Sequence, residues 1–161
     1  MPRPYIPNTQ HPTPNMSTVI FYEKPGCINN TKQKTLLAAA GHTVDARNLL
    51  TAPWTPDRLR QFFGDRPIAQ WFNPTAPAIK SGQVHPDCVD AETALALMVQ
   101  DPLLIRRPLM QVGDRCEAGF DPDAVDHWMG LQAVTGEQEK RDRLLQQDLE
   151  TCPNTVTAQQ C

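Results

Sequence analysis

Residues 17–48 read STVIFYEKPGCINNTKQKTLLAAAGHTVDARN, and the order of elements in this stretch decides the fold. Ser17–Glu23 is a short apolar run rich in β-branched and aromatic residues, the composition of a buried strand. Lys24-Pro25-Gly26 breaks it. From Ile28 the composition turns helical and stops at Gly41, a residue suited to the position just past a helix end. His42–Asn48 alternates loosely around Val44 and Ala46, a second strand. Strand, tight turn, helix and strand open a parallel βαβ unit, with Gly26-Cys27 at the strand-to-helix turn.

Outward from this unit, Thr55 is placed to N-cap a helix with Pro56 at its first position. Leu59, Phe62 and Phe63 share its apolar face, and Gly64 ends it. A second short helix is expected from Pro67 to Phe72, stopped by Asn73-Pro74. Residues 73–88 hold three prolines and read as a surface connection. Asp90 can N-cap the next helix, with Ala91, Ala94, Leu95, Met98 and Val99 on one stripe. Leu103–Val112 reads as a strand with Pro108 inside it. Gly113-Asp114 is a hairpin turn signal, and Arg115–Phe120 the partner strand. Pro122–Gly130 reads as a helix with Val125, Trp128 and Met129 inward, and Gly136–Glu150 as a mostly solvated helix carrying Leu144, Leu145 and Leu149. The order is βαβ, a helical insert, then ββα with a proline in the hairpin's first strand. It predicts an α/β protein with a thioredoxin-like fold and a four-stranded mixed sheet. The domain is expected over 17–150, after a disordered Pro-rich extension (1–16) and before a polar tail (151–161).

Composition narrows the function. At 161 residues and 40% hydrophobic, the chain has room for one domain with a real core. A net charge of −3 without a Lys/Arg cluster excludes the basic footprint of a nucleic-acid binder. No apolar stretch approaches the roughly 18–20 residues that span a bilayer, so no membrane partner is expected. The first fifteen residues lack the apolar core of a secretory signal, and a cytoplasmic location is expected. Five widely spaced cysteines, an odd number, argue against a disulfide framework. No C-x-x-C pair exists and the histidines share no ligand spacing, so neither a metal nor another bound cofactor is expected.

Cys27 directly precedes the first helical turn, where unpaired backbone N–H groups and the positive end of the helix dipole favour a thiolate. Lys24 and Lys32 add to that field, and the site suits nucleophilic attack. Asn29, Asn30 and Lys32 in the following turn are the candidate substrate contacts, together with Pro108. Because Asn30 stands three residues after Cys27, a local dithiol is excluded. Turnover would need glutathione or glutaredoxin, or a distant cysteine such as Cys116 or Cys152. A proline inside a strand marks an edge, a bulge or a cis peptide. In this layout Pro108 would face the Cys27 loop. Arg107 is then either a bidentate guanidinium for an anion bound at the thiolate or, like Arg106, a surface cation.

The segment VIFYEKPGCINNTKQKTLLAAAGHTVDARNLL resembles the opening of the arsenate-reductase-like (ArsC/Spx) family of thioredoxin-fold proteins. ALALMVQDPLLIRRPLMQVGDR, with its Arg-Pro, resembles that family's second signature. GCINNTKQKTLLAAAGH, RPIAQWFNPTAPAIKSG and DLETCP are similar to its nitrogenase-associated branch, found among nitrogen-fixation genes. The resemblance covers about residues 17–153. It implies that Cys27 is the nucleophile, Arg107 the oxyanion contact and Pro108 a cis-proline. Three of the reductases' arginines have no counterpart: Thr31, Ile68-Ala69-Gln70 and Glu117-Ala118-Gly119 stand where they are expected. The implied role is in nitrogen fixation, by thiol redox chemistry or by handling a soft metal or sulfur species. Nitrogenase or its assembly proteins are the implied partners. A glutaredoxin-dependent arsenate reductase and a non-enzymatic Spx-like binding module are the alternatives.

Overall fold

A computed structural model describes residues 16–132 and 138–147. Strand β1 (Thr18–Glu23) and strand β2 (Thr43–Asn48) pair in parallel, Thr18 opposite Thr43 and Glu23 opposite Asn48. Helix α1 (Ile28–Ala39) connects them. Strand β3 (Leu109–Val112) runs antiparallel to β1 with Leu109 opposite Tyr22, and β4 (Arg115–Ala118) completes the hairpin. The sheet order is β2-β1-β3-β4, a mixed four-stranded sheet as the sequence predicts.

Strand alternation sends side chains to two buried faces. On one, Val19, Phe21 and Met110 pack with Leu36 and Leu37 of α1 and with Val125 and Met129 of α5 (Pro122–Met129). On the other, Tyr22, Leu109 and Ala118 meet Leu59, Phe62 and Phe63 of α2 (Pro56–Phe63). Ala94, Leu95 and Met98 of α4 (Ala91–Gln100) join this second cluster. Helices therefore cover both sides of the sheet. Helix α6 (Gln138–Leu145) rests Leu144 and Leu145, half-buried, against the first cluster, while Leu149 lies outside the described residues. The expected caps form: Thr55 accepts from Arg58 N at 3.2 Å and Asp90 from Thr93 N at 2.8 Å.

Several local readings change. The run from Leu103 is not one strand. Pro102–Leu104 is a 3-10 turn, with Asp101 accepting from Leu103 N, and Ile105 makes an isolated bridge to Phe72. β3 begins only after Pro108, because proline has no N–H for the ladder. Residues 73–88 are more than a surface connection: they contain α3 (Pro77–Lys80) and bury Asn73, Ala76 and Val84. Pro67–Phe72 reduces to a 3-10 turn, Ile68–Trp71. Val99 is exposed, since the α4 face turns at Ala94, Leu95 and Met98. Trp128 is half-buried under the Arg115 guanidinium, 4.8 Å from its ring centroid. β4 stops at Ala118 because Gly119 takes φ +80°. Of the expected loose extension only the exposed Met16 is described, and the tail 151–161 lies outside the described residues. Among the described residues no helix is long and apolar enough to cross a membrane.

Candidate functional site

Cys27 is the N-cap residue of α1, with extended backbone (φ −74°, ψ 119°). Gly26 ahead of it holds φ +81°, a left-handed conformation that turns the chain from strand into helix and suits glycine. The loop is closed by its own backbone: Cys27 N donates to Lys24 O at 3.1 Å, and Thr31 N donates to Cys27 O at 3.1 Å. Cys27 itself is only 4% exposed.

The helical turn after it faces inward more than its polar sequence suggests. Asn29, Asn30 and Gln33 are all buried. Asn30 Oδ1 accepts from Lys24 N at 3.1 Å, and its Nδ2 donates to Gln33 Oε1 at 2.9 Å. Asn30 thus ties the loop before Cys27 to the helix after it. A buried amide with both ends engaged holds the turn rigid. Lys32 is half-buried at the surface. Lys34 pairs with Glu23 at the end of β1, 2.6 Å apart. Residue spacing carries no signal for this pair, because it joins a strand end to the second helical turn.

The Arg107–Pro108 peptide is cis. Since Leu109 lies opposite Tyr22, Pro108 enters the sheet at the end where β1 passes into the Cys27 loop. Pro108 O accepts from Gly119 N at 2.8 Å, which joins this corner to the end of β4. Arg106 lays its guanidinium over Gly119, where a Cβ would come within 2.6 Å of its Nε. The cleft beyond Gly119 is lined by Arg66, Glu117, Asp121 and Trp128, and none of the expected site residues reaches it.

Cys116 lies elsewhere. It sits in the Ile20–Gln111 row, two residues from the Pro108 end, and packs against the cluster on the opposite face from α1. Burial pushes its thiol up from the ordinary value, partly offset by the Arg58 charge, with Glu117 and Asp114 adding to the rise. Cys27, Cys88 and Cys116 form no disulfide among the described residues, and Cys152 lies outside them. No three His, Cys, Asp or Glu side chains cluster as metal ligands among the described residues.

Comparison with known proteins agrees with this geometry. The family model described as the ArsC family matches residues 22–128. An uncharacterized 15.7 kDa protein of Rhodospirillum rubrum, encoded in the draG 3′ region, is 51% identical over 146 residues, covering 91% of this chain and 95% of that one. The global transcriptional regulator Spx of Lactiplantibacillus plantarum is 22% identical over 78% of this chain and 97% of its own length. The arsenate reductase of Vibrio cholerae superposes with a TM-score of 0.59 at 21% identity, over 70% of this chain and 98% of that structure, a likeness of fold. A match that runs through the Cys27 helix, strands β2, β3 and β4 and the Arg-Pro corner is more than a shared architecture, and the chain belongs to the ArsC family.

Proposed function

We propose that this protein acts in nitrogen fixation as a thiol-dependent ArsC-family protein with Cys27 as its nucleophile. The observation that carries the chemistry is the position of Cys27 at the N-terminus of α1, at the sheet end where Arg107-Pro108 enters. The first-turn N–H groups and dipole of α1 suit an anionic group beside the sulfur, and Arg107 offers it a planar, two-pronged donor. In the redox version the Cys27 thiolate attacks one sulfur of a disulfide, expels the other as a thiolate and leaves a mixed disulfide on Cys27. Glutathione or glutaredoxin then attacks that bond and returns Cys27 to the thiol. The same thiolate suits a soft metal or a sulfur species as cargo. Asn29, Asn30, Lys32 and Pro108 are the proposed substrate contacts, and Asn30 also ties the turn beside the sulfur. The link to nitrogen fixation rests on the Rhodospirillum rubrum relative, whose gene lies beside draG. Nitrogenase or its assembly proteins are the proposed partners.

The test has two arms. Incubation with oxidised glutathione is expected to place glutathione on the Cys27 peptide, read by mass spectrometry, with removal by glutaredoxin and no adduct at that position in Cys27→Ser. Deletion of the gene is expected to slow growth on dinitrogen and leave growth on ammonium unchanged. Equal growth on both would remove the nitrogen-fixation role, and an unmodified Cys27 would remove the redox one.

A further inference from the structure

A second cationic feature lies on the other face of the sheet. Tyr22 is 3% exposed, and its hydroxyl accepts from Arg58 Nη2 at 2.7 Å. The Arg58 guanidinium also lies 5.9 Å from the ring centroids of both Tyr22 and Trp54. From β2, Arg47 stands directly across from Tyr22 in the parallel register, which puts both side chains on one face of the sheet. Asp45 pairs with Arg47 at 2.8 Å, and no carboxylate pairs with Arg58 among the described residues. Two arginines thus flank Tyr22 on one sheet face, with Asp45 the single carboxylate paired to either of them among the described residues.

Helix stability does not account for Arg58. It is the third residue of α2, where a cation opposes the helix dipole. Packing needs only the hydrocarbon stem, because Trp54, tilted at 58°, and Phe62, edge-on at 89°, already cover the Tyr22 ring. A half-buried guanidinium lacking a carboxylate gains most from an added anion.

We propose that Arg58, held on the Tyr22 hydroxyl, and Arg47, across the strand pair from Tyr22, form an anion site that takes one carboxylate or phosphate group of a small ligand. An oxyanion bridging the two guanidiniums satisfies both forks and relieves their mutual repulsion. The site sits at the sheet end from which the Cys27 loop leaves, and its occupancy does not depend on Cys27 chemistry.

The test is a titration of the Cys27→Ser protein, first with inorganic phosphate and separately with S-methylglutathione, which carries carboxylates and no free thiol. The readout is the Trp54 indole N–H resonance, whose Nε1 donates to Leu49 O at 2.8 Å beside the site. A saturable shift with one of the two anions is expected, and the anion that saturates identifies the group as phosphate or carboxylate. Arg58→Gln is expected to weaken binding about tenfold, the order of one lost charge-assisted donor. Arg60→Gln, which removes a cation of the same helix that stacks on Trp71, is expected to bind as the parent does. Should Arg58→Gln fail to fold, Arg47→Gln at an exposed position gives the same readout, with about threefold weakening expected. Equal binding by the Arg58→Gln or Arg47→Gln protein, or no saturable shift with either anion, overturns the inference.

Discussion

At Cys27 access and chemistry pull in opposite directions. Its sulfur is almost covered, while Cys88 is exposed to any reagent and Cys116 is half-buried with its thiol pushed up. Reactivity follows the surroundings of the sulfur as well as access, and among the described cysteines Cys27 alone caps a helix, one of three turns. Competitive labelling with a small alkylating reagent is therefore expected to modify Cys27 before Cys88 and Cys116. First labelling of Cys88 would make Cys27 an ordinary packed thiol. A second residue-scale expectation concerns arsenate. A thiolate attacking an arsenate anion needs fixed donors that neutralise its oxygens as charge develops. At the positions expected to carry further arginines stand Ile68, in a 3-10 turn, and Glu117, which pairs with Arg115. Loss of one such donor costs on the order of a hundred- to a thousandfold. Arsenite release with glutathione, glutaredoxin and NADPH is accordingly expected to stay near that of a Cys27→Ser control. Robust Cys27-dependent release would assign the protein to the reductases.

The elements around the site are held by short polar devices whose loss is measurable. Thr55 caps α2 through Arg58 N, the same residue whose guanidinium reaches Tyr22. Thr55→Ala is expected to cost about 1 kcal/mol in denaturant unfolding, the usual loss for a cap. A loss of anion affinity should accompany it if cap and site are coupled. Asp90 on α4 works through charge as well. The Thr93 N–H holds its carboxyl below the ordinary aspartate range. A carboxyl lowered in the folded state stabilises fully above the unfolded-state value, and that contribution disappears as pH falls through the folded one. Asp90→Asn should therefore flatten the acid limb of the stability profile and leave its shape near neutrality unchanged. Both caps are readable in sequence, because Thr-Pro and Asp-Ala-Glu at helix starts carry their own local chemistry. The turn after Cys27 is not readable in that way. Asn29, Asn30 and Gln33 look like a solvated polar face, and only the loop folding back to Lys24 turns them inward.

At the scale of the molecule, the order of strands and helices is legible because hydrophobic period changes from two to 3.6 at each junction, with Pro or Gly between. The four-stranded sheet follows from that order. What escapes is set by contacts distant in sequence. Residues 73–88 look like a connection, yet Ala76 and Val84 are buried in the α2–α4 cluster through partners that no local pattern names. Arg47, Arg58 and Tyr22 come together only when β2 pairs with β1 and α2 folds over the sheet. The two-faced packing has a consequence of its own. Ile105 belongs to the cluster on the α2 face and Val125 to the cluster on the α1 face, with the sheet between them. Both are buried, at 0% and 3% exposure. Ile105→Val removes one methylene and is expected to cost about 1 kcal/mol, whereas Val125→Ala removes more and is expected to cost about 2 kcal/mol. Layers on opposite faces of a sheet share no side-chain partners, so the double variant should lose the sum to within about 0.5 kcal/mol. Urea unfolding of the parent, both single variants and the double variant measures this directly. A discrepancy of about 1 kcal/mol or more would mean that the sheet transmits strain between its faces, and that the two halves of the core do not pack independently.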